Sequence, residues 1–168
     1  MGCDIHMFVE YKVGDKPWEA DKNHKEVEED DYRCVEEFPF DARDYQVFGL
    51  LAGVRRDGPD AKGLPEDVSG VIAKAVDLYG SDGHSHSWTS FKDYKVVLQE
   101  VGFNLKNLPF EVEWTDDTSY EERWAAGTRY IQQQIFKFKM DLEAEKMLLG
   151  DQDINTDVDA RVVYFFDN

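Results

Sequence analysis

An α+β domain is the fold class this sequence predicts: a small mixed or antiparallel sheet holding both the N- and C-terminal strands, packed against several helices. Three observations carry that expectation. Residues 3–11 alternate as a strand does, residues 119–149 hold a long helical stripe, and residues 158–166 are β-rich and almost continuously apolar. A chain of 168 residues, 42% hydrophobic and 14% aromatic, is the right size and composition for one domain spanning 1–168.

In the first strand Cys3, Ile5, Met7, Val9 and Tyr11 fall on one face and Asp4, His6, Phe8 and Glu10 on the other. Val13-Gly14-Asp15-Lys16 is turn chemistry, and Pro17-Trp18-Glu19 starts a returning edge strand, so the chain opens as a hairpin. Residues 20–44 are polar and acidic, either a long loop or a surface hairpin. The short apolar stretch 45–52 reads as a helix. Gly58-Pro59 and Gly63-Leu64-Pro65 then punctuate a loop.

A helix fits 66–79, with Val68, Val71, Ile72, Ala75, Val76 and Tyr79 on one stripe and Gly80 as its stop. Residues 81–87 are expected to form a connection, after which Ser87 or Thr89 caps a helix running to about Val101. In 119–149, Trp124, Thr128, Ile131, Ile135, Phe138 and Leu142 recur at alternating spacings of four and three. The stripe is short and lacks complementary flanking charges, which favours a core face over a coiled-coil seam. Residues 158–166 suit a strand covered on both faces.

No run is apolar enough for a membrane span, and the N-terminus lacks the basic and apolar regions of a signal peptide, so a cytoplasmic location is expected. Cys3 and Cys34 make neither a disulfide framework nor a C-x-x-C motif. The net charge of -17, from 36 acidic and 19 basic residues, argues against duplex DNA as a partner. It leaves two readings: a solvated acidic surface, or mimicry of nucleic-acid charge directed at a basic host protein.

Chemistry gathers in two pairs. Asp4 and His6, two apart on a strand, point to one side; His84 and His86 repeat the spacing, and an extended loop would project both imidazoles together. One carboxylate and three imidazoles suit a divalent transition metal, zinc or manganese foremost, better than calcium or magnesium. The plain alternatives are a surface His-x-His and a hydrogen-bonded His6 in a half-buried sheet. In the metal scheme Asp4, His6, His84 and His86 are the ligands, the metal acidifies a water, and Asp82 or His84 handles protons. A helix N-terminus following His86 would favour an anion. Arg55 would clamp a phosphate, with Tyr45 and Ser87 completing the contacts to a small phosphorylated ligand or nucleotide.

The expected function is therefore a metal-dependent phosphohydrolase or phosphodiesterase. The alternatives are a module that sequesters a nucleotide without turnover, and an acidic protein–protein inhibitor. Asp-x-His and Gly-His-x-His resemble the first and last metal motifs of metallophosphoesterases, but the Gly-Asn-His block is absent and the interval is too short for that fold. Three further signals are discounted. Met-Gly-Cys lacks the Ser or Thr a myristoylation motif needs at position 6. Residues 151–159 lack the glycine and distal glutamate of an EF-hand, and Cys3 has no adjacent base.

Several blocks together resemble a family of small proteins of bacteriophages and bacterial genomes. They are Met1-Gly2-Cys3-Asp4-Ile5-His6, Arg43-Asp44-Tyr45, the run Phe48 to Arg55, Gly63 to Ser69, Asp82-Gly83-His84-Ser85-His86-Ser87-Trp88, and the ending Arg161 to Asn168. The resemblance spans nearly the whole chain. It implies a phage or prophage setting and the host cytoplasm, a context in which a role against host defences is the natural expectation, and it supplies no catalytic assignment.

Overall fold

The computed structural model describes residues 2–24, 43–106 and 118–168. Four strands, β1 (Asp4–Val13), β2 (Glu19–Ala20), β3 (His84–Ser90) and β4 (Val158–Asp167), form one antiparallel sheet in the order β2-β1-β4-β3. The N- and C-terminal strands are its two central members, paired from Asp4 opposite Asp167 to Val13 opposite Val158. With α1 (Tyr45–Ala52), α2 (Gly70–Tyr79), α3 (Phe91–Glu100) and α4 (Tyr120–Leu149), the fold is α+β. The expected acidic loop or hairpin falls, over 25–42, outside the described residues, as does Cys34.

Both faces of the sheet are covered. Cys3, Ile5, Met7, Val9 and Tyr11 join Val162, Tyr164 and Phe166 in a core with α1, α3 and α4, including Phe48, Tyr94, Leu98, Trp124 and Ile131. The opposite face packs Phe8, Val163 and Phe165 against Ile72, Ala75 and Val76 of α2. The alternation in β1 therefore separates two cores rather than a core from solvent.

Elements end where local chemistry says they should. Asp44 caps α1 by accepting from the Gln46 and Val47 amides, and Gly53 stops it in a left-handed conformation. Ser119 and Glu122 close a capping box on α4, and Gly150 ends it.

Two expectations shift. The helix predicted over 66–79 begins at Gly70, because the Val68 amide closes a turn onto the Pro65 carbonyl and Ser69 is extended, its amide donating to Glu10 while Asp67 accepts from Arg161. The connection predicted over 81–87 is largely strand, since His84–Ser90 pairs with β4; the next helix starts only at Phe91, capped by Ser90.

Candidate functional site at the end of the sheet

The start of β1, the end of β4 and the start of β3 meet at one end of the sheet, and six of the eight predicted site residues lie there. On the α2 face Asp4 and Asp167 are direct cross-strand partners. Two like charges so placed repel, and each carboxylate has a basic neighbour. Arg43 grips Asp4 through Nε and Nη2, the latter at 2.8 Å. That contact pulls the Asp4 carboxyl below its ordinary value, against the opposing effect of burial. Asp167 lies 3.2 Å from His6 Nε2. The His6 ring is buried between Tyr79 and Phe165, at centroid distances of 4.3 and 4.8 Å.

On the α1 face, the Tyr45 hydroxyl receives the Cys3 amide, and Arg55 reaches the Asn168 side chain at 3.1 Å. Arg55 also lies against the Cys3 thiol; burial nevertheless pushes that thiol up, so Cys3 is poorly suited to act as a nucleophile. Arg55 has a left-handed backbone with φ 62, unusual for a residue with a side chain. Its loop is pinned by close packing: a Cβ on Gly58 would stand 1.8 Å from the Gly49 carbonyl oxygen. Gly53, Arg55, Arg56 and Asp57 line an open depression of ≈ 720 Å³.

The two histidine pairs do not converge on one ion. Between His84, opposite Phe166, and Ser87, opposite Tyr164, β3 carries one residue more than β4. This bulge is centred on Ser85, whose φ is 52. The extra residue breaks the two-residue alternation, so His84 lies beside Phe166 on the α1 face and His86 beside Phe165 on the α2 face. On the α2 face the Phe165 ring, on the strand between β1 and β3, stacks against both His6 and His86 and stands between them. Asp4 is already engaged by Arg43. As arranged, the predicted four ligands do not fit a zinc or manganese ion, and no group of three or more metal-binding side chains occurs among the described residues.

The remaining predictions land as follows. Asp82 is exposed in the short turn preceding β3. Ser87 is buried and accepts the Lys62 amide at 3.2 Å, so it anchors a loop instead of facing a ligand. The anion-favouring helix N-terminus lies at the far end of β3, about 13 Å from His86 by strand rise. Burial lowers the His86 pKa, with the His84 charge adding to the effect.

Four participants escaped the sequence reading: Arg43, Asp167, Asn168 and Ser85, whose hydroxyl lies 3.0 Å from His84 Nδ1. Asp167 had a signal. Two acidic residues at opposite termini of two terminal strands become neighbours once those strands pair antiparallel. No protein family matches the chain, and no curated protein or solved structure is significantly similar to it.

Proposed function

We propose that this end of the sheet captures a small phosphorylated ligand of nucleotide type through arginine contacts. The observation that carries the reading is Arg55. A strained, tightly packed loop presents it with Arg56 at an open depression. Backbone strain of this kind costs about 1–3 kcal/mol and persists where the surroundings over-determine it, which is characteristic of ligand-binding sites. In a chain of net charge -17, the adjacent arginines give an anion a local destination, with Asp57 on the same rim. Arg43 and Tyr45 lie at the N-terminal end of α1, where Arg43 pairs with Asp4 and the Tyr45 hydroxyl receives the Cys3 amide.

Capture is favoured over metal-assisted cleavage because the histidines are divided between two faces and Phe165 intervenes between the pair that shares one. In the bacteriophage setting that the sequence resemblance implies, such a module would withhold a nucleotide signal from a host defence.

Calorimetric titration with nucleoside mono-, di- and triphosphates and cyclic dinucleotides tests the reading. Removing one charged hydrogen-bonding group in Arg55→Ala should weaken binding about tenfold to a hundredfold, and ligand released by denaturation should be intact. Release of cleaved product would replace capture by hydrolysis. Absence of binding across the panel would end the reading.

A further inference from the structure

The second half of α4 carries an apolar stripe that its own domain does not use. Residues buried from α4 stop at Ile131. Beyond that point one side of the helix still touches the body: Phe138 packs on Tyr11 at 5.2 Å, and Leu142 shares a cleft with Val13 and Ile154. At 100° per residue, Phe136, Met140, Ala144 and Met147 fall on the side opposite that contact. Phe136 is 67% exposed, Met140 54% and Met147 82%. A row of large apolar side chains on solvent, repeated at helical spacing, marks an interaction surface.

The charges beside the stripe identify the partner. Lys139 precedes its midpoint and Glu143 follows it, both on one flank of the stripe. Two copies of this helix laid antiparallel set Phe136 beside Met147 of the other copy, with Lys139 level with Glu143, a pair that occurs twice by symmetry. A parallel pairing sets lysine level with lysine. Over 132–149 the lysines at 137, 139 and 146 balance the acids at 141, 143 and 145, so this segment is neutral within a chain of net charge -17. Copies that repel elsewhere meet here without local repulsion.

We propose that the protein self-associates as an antiparallel dimer through the Phe136–Met147 stripe. The contact is narrow, below the roughly 1,200 Å² of a standard interface. It therefore forms reversibly and depends on concentration.

Sedimentation velocity on the full chain over a concentration series tests this. The mass should rise from 19.5 kDa toward twice that value. Met140→Glu/Met147→Glu should remain monomeric with unchanged circular dichroism, since both sites are exposed. Lys139→Glu should also shift the chain toward monomer, and adding Glu143→Lys to the same chain should restore the dimer. Orientation is read by oxidation of single cysteines introduced into a chain whose native cysteines are replaced by serine. Met140→Cys, near the two-fold axis, should cross-link to its copy. Met147→Cys, about 16 Å or more from its own copy by helical rise, should not. Equal cross-linking at both positions would overturn the antiparallel arrangement. A wild-type chain that stays at 19.5 kDa at every concentration would overturn the dimer, and its co-sedimentation with lipid vesicles would assign the stripe to a membrane surface instead.

Discussion

Toward one end of the β1–β4 ladder Glu10 stands opposite Arg161; about 20 Å away by strand rise, at the other end, Asp4 stands opposite Asp167. Both pairs sit on the α2 face of the same two strands, yet they treat charge differently. The Glu10 carboxylate receives Arg161 Nε and the Ser69 amide, each at 2.6 Å, and Arg161 also reaches Asp67 at 2.8 Å. The Trp18 and Trp88 rings cover its guanidinium at 4.1 and 5.7 Å. Opposite charges meet directly, are buried, and are shared with the segment that leads into α2. At the far end like charges meet, and separate groups moderate them: Arg43 from the approach to α1, and His6 from the strand itself. The first arrangement locks an element in place. The second keeps charge near solvent, where a ligand can use it.

The largest expected effect tests the locked end. Arg161→Met leaves Glu10 buried and unpaired, which should cost about 3–5 kcal/mol in urea unfolding. Converting both partners, as Glu10→Gln/Arg161→Met, should recover most of that loss, because the penalty comes from the orphaned charge. At the open end Asp167→Asn removes a repulsion and a partly buried partner of His6. It should change stability by less than about 1 kcal/mol. Comparable losses at the two ends would break the distinction between them.

A smaller effect tests whether the open end is held in place on purpose. Gly58 lies against the Gly49 carbonyl with no room for a methyl group. Gly58→Ala should therefore cost about 1–3 kcal/mol and displace the loop that carries Arg55. The ligand affinity sought for wild-type protein should fall with it. Full affinity in a destabilised Gly58→Ala protein would separate the loop's packing from its function.

The locked end was partly legible in the sequence, since Glu10 was placed on the face opposite the first core. The cover of tryptophans and the Asp67 contact were not, because they depend on segments that return from 18, 67 and 88. The terminal strands, the short helix 45–52 and the long C-terminal helix followed from periodicity and caps, which are local signals. The site was legible as a set of residues and illegible as a geometry. The i,i+2 rule holds for Asp4 and His6 on β1, but a single extra residue at Ser85 overturns it for His84 and His86. A bulge depends on the partner strand's register, and His-Ser-His carries no mark of it. Arg43 carries no mark in the sequence for a similar reason: its value comes from the Asp4–Asp167 repulsion, which exists only once the two ends of the chain are paired.

The finest test of the comparison is the titration of Asp4. Its hydrogen bonds from Arg43 favour the ionised carboxyl and hold it below the ordinary 3.8, and burial works the other way. A carboxyl depressed in the folded state binds its proton later than in the unfolded chain. Its stabilising contribution is thus present above pH 3.8 and is lost as pH falls through the depressed folded value. Asp4 is about half exposed, so solvent screens the pair and the stability change should be slight. Carboxyl-resolved NMR is the better measurement: the Asp4 midpoint should lie below 3.8 in the wild type and move up in Arg43→Gln. A midpoint that ignores Arg43 would mean the Asp4–Arg43 contact does not persist in solution. Asp4 would then face Asp167 without a basic counterweight, its carboxyl free for a ligand or a cation, and the contrast between the two ends would become sharper.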